Sequence, residues 1–73
     1  MERLSDSQFH VYMAIKDYID KYGFSPSFRE LGELTNKSSP ASVHYELKML
    51  KRKGYIDYIP RLSRTIRVLK WRT

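Results

Sequence analysis

Ser39, Ala41, Ser42, His44 and Tyr45 fall within one short stretch, followed closely by Lys48, Lys51, Arg52 and Lys53. These residue types point to recognition rather than to bond-making. Serine hydroxyls bond to several base edges, and an alanine methyl can meet the methyl of thymine. His44 can donate to a guanine acceptor or to a phosphate. Cations further along a helix neutralise phosphates, and they also complement the negative end of the helix dipole. No Ser/His/Asp set, glycine-rich phosphate loop or carboxylate pair accompanies them, so no catalytic residue and no enzymatic activity are expected. The chain has no cysteine, and its two histidines, His10 and His44, lie far apart. Neither a metal site nor a cofactor is expected.

The spacing of apolar residues says which element carries this stretch. Ser39 is a helix N-cap and Pro40 suits the first helical position. Val43, Leu47 and Leu50 then recur at helical spacing, and Gly54 closes a helix over 40–53. Its outer face carries Ala41, Ser42, Tyr45, Lys48 and Arg52, with His44 and Lys51 on the flanks. Immediately upstream, Ser27-x-x-Glu30 is a capping box opening a helix over 28–35, with Phe28, Leu31 and Leu34 as its buried stripe. Gly32 within it reads either as a close approach to a neighbour or as a neutral surface glycine. Thr35-Asn36-Lys37-Ser38 reads as a tight turn.

A further helix over 6–22 starts at the capping box Ser5-x-x-Gln8, with Leu4 as a hydrophobic staple, and stops at Gly23. Its apolar face holds Val11, Tyr12, Ile15, Tyr18, Ile19 and Tyr22. Phe24-Ser25-Pro26 must be extended and is a candidate for a very short strand. After Gly54 the period changes from helix to strand. Residues 55–59 and 65–69, joined by Arg61-Leu62-Ser63-Arg64, make a hairpin with Ile66 and Val68 inward. The expected architecture is mainly α with a small β-hairpin: one domain over residues 1–73, a three-helix winged helix-turn-helix. In that layout the third helix enters the DNA major groove and reads bases with its first turns.

Charge agrees with this reading. The net charge is +6, but residues 1–36 carry −2 and residues 37–73 carry +8. A basic half joined to an acidic one suits a polyanionic partner. The residues expected at phosphates or in the minor groove are Ser27, Arg29, Lys48, Lys51, Arg52, Lys53, Arg61, Arg64 and Arg67. No apolar run approaches a membrane span, and the N-terminus lacks the features of a signal peptide. A cytoplasmic, nucleoid-associated protein is expected, with no membrane partner and no small-molecule substrate. Phe9 and Met13 lie off the main apolar stripe of the first helix. They read either as scattered surface residues or as a contact face. Trp71 either packs back on the domain or marks the start of something further.

Ordered matches along nearly the whole chain resemble the DNA-binding domain of the LexA family of SOS-response repressors. They are Ile15-Lys16-Asp17-Tyr18-Ile19, Gly23-Phe24-Ser25-Pro26-Ser27, Arg29-Glu30-Leu31-Gly32, Ser38-Ser39-Pro40, Val43-His44, Leu47-Lys48, Leu50, Lys53-Gly54-Tyr55-Ile56 and Arg64-Thr65-Ile66-Arg67-Val68-Leu69. The Ser-Ser-Pro-x-x-Val-His pattern is closer to the Gram-positive branch. The resemblance implies a repressor that reads an operator half-site in double-stranded DNA. Its base readers would be Ser39, Ala41, Ser42, His44 and Tyr45, and its minor-groove wing would be Arg61 to Arg64. Tyr45 and Glu46 depart from the small or polar residues expected at their positions, which puts the operator sequence in question. LexA repressors continue into a peptidase domain with a Ser/Lys dyad, and these residues carry no such part. The chain reads as an excised domain or as a small free-standing relative of phage or mobile-element type. Alone it is expected to be a monomer or weak homodimer, with a dimer forming on a palindromic operator. The rival reading is a winged-helix protein-interaction module that uses Phe9, Met13 and the wing.

Overall fold

Local capping chemistry sets the helix starts. In the computed structural model, which describes residues 3–35 and 40–69, helix α1 spans Asp6–Tyr22, α2 Phe28–Leu34 and α3 Pro40–Arg52. The Ser5 hydroxyl accepts from the Gln8 amide at 3.1 Å, and the Gln8 side chain accepts from the Ser5 amide at 3.1 Å. Ser27 and Glu30 repeat the exchange at the start of α2, at 3.1 and 2.9 Å. Each box satisfies two amides that a helix start leaves without partners. Gly23 ends α1 in the left-handed region at φ 81°, and Gly54 follows α3 at φ 88°. The turn at 36–39, with the Ser39 cap, and residues 70–73, with Trp71, lie outside the described residues.

The core is built from Val11, Tyr12 and Ile15 of α1, Leu31 of α2, Val43, Leu47 and Leu50 of α3, and Ile56 and Ile66 of the hairpin. Tyr12 meets Tyr55 edge-on at 5.5 Å between ring centres. The expected stripe of α2 is only partly realised. Leu31 is fully buried and Phe28 half-buried, but Leu34 is 53% exposed. Helical geometry explains the swap: at about 100° per residue, Thr35 lies nearer to Leu31 around the axis than Leu34 does. Thr35 therefore takes the buried place, and its hydroxyl donates to the Leu31 carbonyl at 2.7 Å.

The hairpin is shorter than expected. Strand β1 is Ile56–Asp57 and β2 is Arg67–Val68, antiparallel, with Ile56 opposite Val68 and Asp57 opposite Arg67. A side chain diverts the amide that would have lengthened the ladder: the Ile59 amide donates to the Thr65 hydroxyl at 2.9 Å. The Tyr58 amide points away from the partner strand and donates to the Asp57 carboxylate at 2.9 Å. No strand forms at 24–26. Instead the buried Ser25 hydroxyl accepts from the Ile66 amide at 3.1 Å and donates to the Pro26 carbonyl at 2.8 Å. One serine thus does the bonding that a strand would have done.

Candidate nucleic-acid interface

Burial of Val43, Leu47 and Leu50 against α1 and α2 leaves the opposite side of α3 to solvent. Ala41, Ser42, His44, Tyr45, Lys48 and Arg52 are all exposed there. Tyr45 is 59% exposed, the largest side chain on this face. Glu46 turns the other way, is buried, and accepts from the Ser7 hydroxyl of α1. Its departure from the expected residue type therefore belongs to the packing of α3 on α1, and that of Tyr45 to the outer face.

Elements distant in sequence meet at one cleft of about 300 Å³. Ser27 and Arg29 line it from the start of α2, His44 from α3, and Arg61 and Leu62 from the hairpin tip. Phe28 forms its floor. The Phe28 ring meets His44 at 4.8 Å and 73°, and meets Tyr58 at 5.3 Å and 87°. Such edge-to-face contacts fix ring orientation as well as burying area. Phe28 thus holds the imidazole of His44 from behind. Sequence alone assigns Phe28 only to the core. No local signal distinguishes a core phenylalanine from one that also orients an exposed histidine.

The cations expected at phosphates fall into two groups. Arg29, Lys48, Arg52 and Arg61 are exposed, on or beside the α3 face. Lys51, Lys53, Arg64 and Arg67 have partners within the fold. The Lys51 ammonium donates to the Tyr58 carbonyl at 3.0 Å, sits 4.6 Å from the Tyr58 ring centre and lies 3.5 Å from Asp57. Lys53 donates to the Gln8 side chain at 2.6 Å and to the Arg3 carbonyl at 3.0 Å. Arg67 lies 3.5 Å from Asp57 and stays largely exposed. The Tyr58 amide, with Lys51 and Arg67, holds Asp57 below the usual carboxylate range. Arg64 donates to one oxygen of Glu30 at 2.9 Å and lies 2.9 Å from the other. That guanidinium, with the Ser27 amide and the Tyr18 hydroxyl, lowers Glu30 to about 2.

At the tip, the Leu62 amide donates to the Ile59 carbonyl at 3.2 Å across Pro60-Arg61. Arg61 sits at φ 69° and Arg64 at φ 58°, left-handed positions that favour glycine. Thr65, to which sequence alone gives no special role, ties the loop shut by donating to the Leu62 carbonyl at 3.0 Å. Among the described residues no group of three His, Cys, Asp or Glu is placed to hold a metal ion, and no helix is long and apolar enough to cross a membrane.

A family model described as the LexA DNA binding domain matches residues 1–65. A LexA repressor of Bifidobacterium adolescentis is 44% identical over 66 residues, covering 90% of this chain and 26% of the repressor. One of Shouchella clausii is 42% identical over 69 residues, covering 94% and 33%. One of Staphylococcus aureus strain Newman is 36% identical over 73 residues, covering 100% and 35%. The chain thus spans about a quarter to a third of the length of these relatives.

Proposed function

The chain belongs to the LexA DNA-binding domain family, and from that premise we propose that it represses transcription by reading an operator half-site in double-stranded DNA. The observation that carries the reading is the shared cleft: Arg29, His44 and Arg61 come from three elements and line one concave surface beside the exposed face of α3. A helix with that face in the major groove offers Ala41, Ser42, His44 and Tyr45 to base edges. Arg29, Lys48 and Arg52 then lie along the phosphates. Arg61 at the tip reaches the neighbouring minor groove, where a narrow groove concentrates negative potential.

The chain acts alone as a monomer or weak homodimer and pairs on a palindromic operator, its place being the nucleoid of a bacterial cytoplasm. A protein-interaction role through Phe9 and Met13 is not favoured. Met13 is partly buried and packs against the core, while Phe9 is 52% exposed.

Base reading and phosphate contact separate under substitution. Ser42→Ala and His44→Ala are expected to relax discrimination at particular base pairs by about 1–3 kcal/mol each. Affinities for a panel of single-base operator variants measure this. An even loss on every duplex would remove both residues from the list of readers.

A further inference from the structure

Arg64 sits in a basic loop that suits DNA, yet its guanidinium, although the side chain is 43% exposed, is bonded within the fold. It donates to one carboxylate oxygen of Glu30 at 2.9 Å and lies 2.9 Å from the other as an ion pair, donates to the Ser25 carbonyl at 3.2 Å, and approaches the Tyr18 hydroxyl at 3.4 Å. It also lies 5.3 Å from the ring centre of Phe24. Glu30 already caps the first turn of α2 through the Ser27 amide, and it accepts from the Tyr18 hydroxyl at 3.2 Å. One carboxylate therefore holds both the start of α2 and the second arm of the hairpin. We propose that Arg64 and Glu30 are positioning residues that fix the wing against α2, so that Arg61 faces Arg29 and His44 across the cleft. This rests on the DNA-reading function proposed above and deepens it.

Physical need supports the assignment. Among the described residues the hairpin ladder pairs Ile56 with Val68 and Asp57 with Arg67, with one more bond from the Leu69 amide to the Tyr55 carbonyl at 2.8 Å, and a two-stranded hairpin is marginal on its own. The left-handed residues Arg61 and Arg64 persist only where surrounding contacts over-determine the backbone. A bidentate guanidinium–carboxylate pair fixes direction as well as distance, which a lysine ammonium does not. A wing that wanders must be ordered each time Arg61 meets DNA, and that ordering subtracts from affinity.

Glu30→Gln gives a test in which charge and positioning predict opposite signs. Glutamine at this position still serves a capping box, so α2 keeps its start. The substitution also removes an anion near the DNA-facing surface, which by simple electrostatics strengthens binding. The clamp predicts the reverse: affinity for an operator duplex falls roughly tenfold, about the worth of the Arg61 groove contact. Arg64→Lys, which keeps the charge, is expected to lose as much. Arg61→Ala is expected to cost much less in the Glu30→Gln background than in the wild type, because the wing is then already misplaced.

Tighter binding by Glu30→Gln overturns the proposal. So does normal binding by Arg64→Lys, which would make Arg64 an ordinary phosphate contact. Thermal melts by circular dichroism establish that each variant is folded. Should wild type show no operator preference, the DNA reading fails separately. Amide exchange at Thr65 and Ile66 in the same variants then decides the clamp: faster exchange is expected, and unchanged protection overturns it.

Discussion

A Leu47→Ala chain is expected to lose about 2–5 kcal/mol of stability, the usual cost of truncating a buried leucine. Leu47 is fully buried at the centre of the face that α3 presents to the core. At roughly 0.05–0.15 kcal/mol per residue, a domain of 73 residues has only about 4–11 kcal/mol in total. The variant therefore loses a large share of it, and a substantial fraction of molecules is unfolded near body temperature. Urea unfolding followed by circular dichroism should show a large fall in midpoint with little change in slope. Leu34→Ala is the internal control. At 53% exposure it should change stability by less than about 0.5 kcal/mol. Equal effects at the two leucines would contradict the burial pattern that orients α3 and hence its outer face.

The second large effect concerns the exposed cations of α3. Replacing both Lys48 and Arg52 by alanine should weaken binding to every duplex alike, by roughly a hundredfold at about 0.1 M salt. The dependence of log affinity on log salt should flatten by about 0.9 for each phosphate that is no longer neutralised. Sequence preference should survive, because neither side chain is needed to distinguish base pairs. Lys51→Ala and Lys53→Ala should leave the salt slope nearly unchanged. Their ammonium groups are held by Tyr58 and Asp57 and by Gln8 and Arg3 respectively. A flattened slope for Lys51→Ala would mean that its ammonium leaves Tyr58 when DNA arrives.

The partners of Lys51 and Lys53 within the fold are contacts that sequence does not announce, whereas other features are legible in it. The helix starts are legible because a capping box closes within three residues: Ser5 with Gln8, and Ser27 with Glu30. The outward set on α3 is legible because Val43, Leu47 and Leu50 fix the inward face by period alone. Leu34 misleads because hydrophobicity does not say which of two adjacent positions faces inward on so short a helix. The strand lengths mislead because the Thr65 hydroxyl takes the Ile59 amide that a propensity reading assigns to the ladder. Arg64 is the hardest case. A basic residue in a basic loop reads as a DNA contact, and its partner Glu30 lies 34 residues away in another element. Glu30 in turn is already explained by its cap. Only the folded chain brings the two together, and the cleft lined by Arg29, His44 and Arg61 is equally non-local.

The central claim is that this surface reads sequence rather than charge. The most direct test is binding of the purified chain to a LexA-type operator duplex and to a scrambled duplex of the same composition, each at a low and a high salt concentration. The account predicts a preference for the operator that persists as salt rises, while both absolute affinities fall. Equal binding to the two duplexes, vanishing together at high salt, would contradict it and leave only the basic half of the chain attracted to a polyanion.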